Sequence, residues 1–257
     1  DPETRVSGRG LAMLEAAGSR VTTGVLEAQA REDHAGFLLR TTQGRPFVTL
    51  KLAGTLDGRI ATATGESKWI TGTHARRAVH MMRARHDAVL VGAGTVRADD
   101  PSLTVRGIGV ARQPVRIVVS RAMKIPSTSQ LAKTAKETPV WLCHGADADV
   151  SEWTTQGAKS LPCEVASRQV DPRSVMQSLA EQGITRVFCE GGGMLAASLL
   201  SAGFVDQLVS FTAGAAIGAE GTPMLASMGI DRLANAPRFQ LADVRQVGED
   251  ICHIWRR

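Results

Sequence analysis

Three short, almost wholly apolar runs constrain the fold of this chain more than any other feature. They are Ala88-Val89-Leu90-Val91, Val115-Arg116-Ile117-Val118-Val119 and Val140-Trp141-Leu142-Cys143. Continuous apolar strands are buried on both faces, and sheets covered on both faces are typically parallel. Helical patterns alternate with these runs. Ala75, Ala78, Val79 and Met82 recur at i, i+3, i+4 and i+7, a buried stripe on a helix that Thr71 or Thr73 is placed to cap. Asp171-Pro172 opens another helix with an N-cap and an N1 proline, and Gly183 closes it. Thr185 to Glu190 reads as a strand, from which Gly191-Gly192-Gly193 leads into a helix around Met194 to Leu200. Val205 to Ala213 then completes a β-α-β unit. Phe47 to Ala53 reads as a partly covered strand, and Phe239 to Val247 with Ile251 to Trp255 as a terminal antiparallel pair. The predicted class is α/β, with a mostly parallel central sheet and an antiparallel C-terminal pair.

The first 43 residues read differently. Leu11, Leu14 and Ala17 recur at helical spacing up to Gly18, and a short extended stretch follows from Arg20 to Val25. A second helical segment carries Leu26, Ala30 and Phe37. This β-α fragment is too small to stand as a domain. The chain does not open on methionine, which is compatible with a longer parent protein.

Composition removes several classes of function. No apolar run approaches the roughly 20 residues that a membrane helix needs, and no signal peptide is visible, so a cytoplasmic protein is expected. The net charge of +5 favours anionic substrates. Nucleic acid is disfavoured as a partner, because the basic residues are scattered and there is no tyrosine to build stacking platforms. Cys143, Cys163, Cys189 and Cys252 are irregularly spaced, with no C-x-x-C. Adjacent residues on a strand face opposite ways, so Cys143-His144 and Cys252-His253 read as buried thiols beside histidines; no metal site is expected.

Several loops carry chemistry. Gly191-Gly192-Gly193 sits at a strand-to-helix junction, where backbone amides and a helix N-terminus suit a phosphate. A tight turn needing positive φ explains one of these glycines well and three poorly. The G-x-G-x-x-G fingerprint is absent. Glu190, ending a buried strand, can accept hydrogen bonds from a substrate or move a proton. Gly92-Ala93-Gly94-Thr95 with Asp99-Asp100-Pro101 reads either as a second cofactor loop or as a turn and cap device. Arg83, Arg106 and Ser67 could clamp a phosphate, although a lone arginine is more often a solvated surface residue. Trp69 could stack on a cofactor ring, but a core tryptophan is the commoner case.

Together these residues resemble the reductase domain of the bifunctional riboflavin-biosynthesis deaminase/reductase family. The match runs from Gly44-Arg45-Pro46-Phe47-Val48 through Leu56-Asp57-Gly58-Arg59-Ile60-Ala61, Gly65-Glu66-Ser67, Trp69-Ile70-Thr71 and Gly94-Thr95-Val96. It continues through Ala98-Asp99-Asp100-Pro101-Ser102-Leu103-Thr104-Val105-Arg106, Glu190-Gly191-Gly192 and Val205-Asp206, so residues 44–257 are expected to form the reductase domain. Asp1-Pro2 and Val6-Ser7-Gly8-Arg9-Gly10 resemble the end of the family's deaminase domain, which makes residues 1–43 its expected remnant. The deaminase's His-x-Glu and Pro-Cys-x-x-Cys zinc motifs are absent, so deamination by this chain is not expected.

The resemblance implies a dihydrofolate-reductase-like fold, a homodimer and an NADPH-dependent reaction. In that reaction 5-amino-6-(5-phosphoribosylamino)uracil, a phosphorylated ribosylaminopyrimidine, becomes its ribityl counterpart. It implies substrate-binding roles for Ser67, Arg83, Leu103, Arg106 and Glu190. Cofactor-binding roles fall to Ala53, Trp69, Thr95, Asp99, Gly192, Gly193, Met194, Leu195, Ala196, Ala197 and Ser198. Catalytic roles are expected of Asp57, Glu190 and Lys51, with Asp57 or a water assisting proton transfer. After Val119 the family usually shows Asp-Ser, whereas this chain has Ser120-Arg121; Arg121 is expected to grip the cofactor's 2′-phosphate. The competing readings are a pteridine reductase of the same fold, a non-catalytic scaffold module and a basic nucleic-acid binder.

Overall fold

A computed structural model describes residues 6–257, so Asp1-Pro2 lies outside the described residues. The chain opens with α1 (Arg9–Ala16), α2 (Glu27–Asp33) and α3 (Ala35–Gln43). Then come β1 (Phe47–Thr55), β2 (Arg59–Ala61), α4 (Thr73–Ala84), β3 (Ala88–Gly92), α5 (Ala93–Asp99) and β4 (Val115–Ser120). Next are α6 (Gln130–Lys133), β5 (Val140–His144), α7 (Ser151–Thr155), β6 (Lys159–Pro162), β7 (Val165–Ala166) and β8 (Gln169–Val170). The chain continues with α8 (Pro172–Glu181), β9 (Arg186–Cys189), α9 (Gly193–Ser201) and β10 (Gln207–Ala213). It ends with β11 (Thr222–Pro223), β12 (Gln240–Val247) and β13 (Asp250–Arg256).

Nine strands form one sheet in the order β12-β13-β10-β1-β9-β3-β4-β5-β6. From β10 to β6 every pairing is parallel, while β13 is antiparallel to both β10 and β12. The expected α/β class and the antiparallel C-terminal pair are both present. Alternation along β3 sends its residues to two cores. Val89 and Val91 face Ala75, Val79 and Val96, whereas Ala88 and Leu90 face Met176, Leu179 and Leu199. All four β3 side chains have 0% exposure, which explains why the run carries no polar residue. Truncating Leu90 to alanine would cost about 2–5 kcal/mol.

Three local expectations are corrected. Arg20 to Val25 forms no strand; Gly24 is left-handed there and Leu26, also left-handed, opens α2. The segment with Leu26, Ala30 and Phe37 is two helices, broken at His34. Neither Thr71 nor Thr73 caps α4. Its N-cap is Gly72, whose N–H donates to Asp250 Oδ2 at 2.8 Å. That carboxylate is supplied by the terminal hairpin.

Candidate active site

The loops that follow β1, β3 and β9 leave the carboxyl ends of neighbouring parallel strands, the edge where open α/β sheets build ligand sites. Two adjoining clefts lie there, of about 610 and 690 Å³. Lys51, Ala53, Ser67, Thr95, Asp99 and Glu190 line both. The first cleft adds Trp69, Arg83, Leu103 and Arg106, and the second adds Gly192 and Gly193. Side chains 139 positions apart in sequence therefore share one opening.

The strongest contact in it joins two residues read separately from sequence. Arg83 Nε donates to Glu190 Oε1 at 2.6 Å, and Nη2 donates to Oε2 at 3.0 Å. The side chains are only 12% and 10% exposed. Arg83 Nη1 also donates to Thr104 O at 2.9 Å, which ties α4 to the loop carrying Leu103 and Arg106. Arg83 is thus largely engaged by the protein, while the exposed Arg106 keeps its guanidinium for a ligand. Leu103 is buried and left-handed, with φ 55°, so it holds the shape of that loop.

Lys51 stands beside this pair. Burial lowers its pKa, against the opposing pull of Glu190, and nearby Arg83 lowers it further. An ammonium with a weakened hold on its proton, in a cleft with a carboxylate, is equipped to donate one.

Asp57 does not join the cleft. Its Oδ1 accepts from Thr55 Oγ1 at 2.5 Å, and Oδ2 accepts from Gly218 N at 2.7 Å. Ile217 N is 3.2 Å from both oxygens. The Thr55 hydroxyl, followed by the Gly218 amide, lowers its pKa to about 2. Asp57, expected to assist proton transfer, is placed outside both clefts, where its carboxylate anchors the loop at Ile217.

On the cofactor side, Gly192 N donates to Thr95 Oγ1 at 3.1 Å, joining the two glycine loops. None of Gly191, Gly192 and Gly193 has positive φ, so the turn explanation falls. Space explains two of them instead. A Cβ on Gly191 would lie 2.6 Å from Leu195 Cδ2, and one on Gly193 would lie 3.0 Å from Ala226 N. Gly192 caps α9 without a side chain, leaving the first N–H groups of that helix without a capping oxygen. This cradle fits a cofactor pyrophosphate.

The block from Gly192 to Ser198 divides. Gly192, Gly193, Met194, Leu195 and Ser198 line a third cavity of about 380 Å³ beside the glycine loops. Ala196 and Ala197 are buried, at 0% and 5% exposure, and do not line this cavity. Arg121 lines the same third cavity, with Nη1 3.6 Å from Asp147 Oδ2. Trp69 is 70% exposed, not a core residue, and the Arg76 guanidinium lies 4.5 Å from its ring centroid.

Sequence reasoning missed Arg76 and His80. Both line the first cleft, and His80 Nδ1 accepts the Arg106 N–H at 3.2 Å. With Arg83 they recur at i, i+4 and i+7, so the helical period that located the buried stripe could have revealed this basic face. Among the described residues, no group of three His, Cys, Asp or Glu side chains could hold a metal ion. No described helix is long and apolar enough to cross a membrane.

A glycine cradle beside a basic cleft, at the carboxyl edge of a parallel sheet, defines an α/β domain built to take a phosphate-bearing ligand. A family model, the RibD C-terminal domain, matches residues 46–253. The riboflavin biosynthesis protein RibD of Bacillus amyloliquefaciens is 39% identical over 255 residues, covering 98% of this chain and 68% of that protein. Acinetobacter baumannii RibD, form 1, aligns with a TM-score of 0.87 at 33% identity, covering 100% of this chain and 70% of that one. A Thermotoga maritima diaminohydroxyphosphoribosylaminopyrimidine deaminase/5-amino-6-(5-phosphoribosylamino)uracil reductase aligns with a TM-score of 0.84 at 29% identity, covering 99% of this chain and 68% of that one. The chain belongs to the RibD C-terminal domain family.

Proposed function

We propose that this chain is the 5-amino-6-(5-phosphoribosylamino)uracil reductase of riboflavin biosynthesis, using NADPH to convert the ribosyl group to ribityl. The observation that carries this reading is the Arg83–Glu190 pair, in a basic cleft that adjoins a glycine cradle through shared residues. NADPH supplies a hydride to the former anomeric carbon once the sugar ring has opened to an imine. Arg106 and Ser67, with the remaining N–H groups of Arg83, hold the substrate phosphate. Glu190, fixed by Arg83, orients the pyrimidine or ribityl groups, and Leu103 shapes that side of the cleft. Lys51 gives a proton toward the imine nitrogen, the role that the tether on Asp57 removes from Asp57.

Ala53, Thr95, Asp99, Gly192 and Gly193 hold the cofactor, and Trp69 closes over the cleft. Arg121 contributes to recognition of the cofactor's 2′-phosphate. Residues 1–43 are read as the C-terminal part of a deaminase domain, and the enzyme as a cytoplasmic homodimer. The test is NADPH oxidation with the deaminated ribosylaminopyrimidine phosphate, followed at 340 nm. Turnover that is lost on dephosphorylated substrate supports the reading; equal turnover of a pteridine would replace it. Arg121→Ala should lower the preference for NADPH over NADH, and an unchanged preference removes Arg121 from that role.

A further inference from the structure

The β7–β8 hairpin is not part of the main sheet, and the reading above gives it no role. It pairs Val165 with Val170 and Ala166 with Gln169, so Ser167 and Arg168 are the two central residues of its turn. Both are left-handed, at φ 50° and 65°. Two-residue hairpin turns of this hand favour Asn-Gly or Asp-Gly, because a side chain in the left-handed region is strained. A Ser-Arg turn sets local preference against geometry, and such conflicts concentrate at functional sites.

The position of the turn is consistent with a function. Arg168 lines the 380 Å³ cavity beside Gly192, Gly193 and Ser198, and Arg121 lines the same space from the end of β4. Gly145 packs between the two elements that carry these arginines. Its N–H donates to Arg121 O at 3.0 Å, and a Cβ on it would lie 3.0 Å from Val165 Cγ2 in the hairpin. A third arginine, Arg97, also lines the cavity but donates to Lys124 O at 3.0 Å. Among the described residues no carboxylate pairs with Arg168. Arginines from separate elements therefore line the cavity next to the glycine cradle, with one carboxylate, Asp147, near Arg121.

We propose that Arg168, held over this cavity by its strained turn, is a specificity-determining residue that selects a cofactor carrying a phosphate on its adenosine ribose. Guanidinium groups grip phosphate bidentately, and two lining one cavity discriminate a phosphate from a hydroxyl more strongly than one. This deepens the cofactor reading above and rests on it.

Arg168→Gly is the informative variant, since glycine suits the left-handed position and keeps the turn while removing the guanidinium. Binding of 2′,5′-ADP and of 5′-AMP would be measured by calorimetry on the parent and the variant, alongside KM for NADPH and NADH. The expected result is about a tenfold weaker hold on 2′,5′-ADP and about a tenfold higher KM for NADPH in the variant, a charge-assisted phosphate contact's worth. Affinity for 5′-AMP and KM for NADH should stay within about twofold, and Arg168→Lys should recover part of the loss. Equal binding of 2′,5′-ADP by parent and variant overturns the role of Arg168, as does an equal loss for both nucleotides. A parent chain that binds neither nucleotide overturns the cofactor reading and this proposal with it.

Discussion

Two arginine–carboxylate pairs sit at opposite edges of the parallel sheet, nearly alike in geometry and unlike in what their carboxylates can still bind. At the amino end, Arg45 donates to both oxygens of Asp206 at 2.8 Å, with side-chain exposures of 15% and 14%. At the carboxyl end, Arg83 holds Glu190 in the same two-point manner. What separates them is the capacity left over. Asp206 also accepts the Val48 N–H at 2.8 Å and lies between strands that it helps to align. Among the described residues Glu190 accepts only from Arg83, and it opens onto both clefts beside Lys51. A carboxylate has about four acceptor positions, so one that is less occupied can still bind a substrate. Burial and pairing are alike in the two carboxylates; spare acceptors facing a cavity set Glu190 apart.

The sharpest way to break this contrast is to neutralise each acid in turn. Glu190→Gln should lower kcat/KM by about 10²–10⁴-fold in the NADPH oxidation assay. If its activity instead matches the parent, the two pairs are both structural. Asp206→Asn should leave KM near the parent value and cost about 3–5 kcal/mol of stability, because Arg45 is left buried without its partner. Thermal unfolding should then show a midpoint lower by roughly 10 °C.

A third expectation concerns pH at the same structural end. His86 is buried, its Nδ1–H donates to Met82 O at 2.7 Å and its Nε2 accepts from Thr49 Oγ1 at 2.9 Å. Burial lowers its pKa from 6.5 to about 4. Below pH 6.5 the unfolded chain takes a proton that the folded chain refuses, so stability falls between pH 6.5 and 4, by up to about 3 kcal/mol. Denaturant titrations at pH 7 and pH 4.5 would show this loss, and His86→Gln should flatten it.

The smaller effects refine the functional end. Thr95→Val removes the acceptor of the Gly192 N–H and should raise the NADPH KM by about tenfold, a neutral hydrogen bond's worth in the loop proposed to hold the cofactor. Asp57→Asn should change the single-turnover rate by less than about threefold, since the carboxylate holds a loop and no proton in flight. A hundredfold loss there would return Asp57 to the chemistry.

Much of the fold was legible because its cause is local. The apolar runs became β3, β4 and β5, and Asp171 does cap α8, accepting from Arg173 N at 3.0 Å. The glycines after β9 were readable as a cradle, although crowding and not positive φ turned out to require two of them. The capping of α4 was not legible, since the carboxylate on Gly72 lies 178 positions away at Asp250. Nor was the fate of Asp57, whose partners at Ile217 and Gly218 are about 160 positions distant.

The sequence by itself determined most strands of the main sheet, their order along the chain and the chemical types gathered in the loops, because periodicity, caps and glycine act within a few residues. Only the tertiary structure decided which groups meet. Inserting β9 between β1 and β3 brings Glu190 to Arg83 across 107 positions, and the loop at Ile217 and Gly218 holds Asp57 outside the cleft. Long-range pairing is set by how strands dock into one sheet, and no local pattern encodes that register.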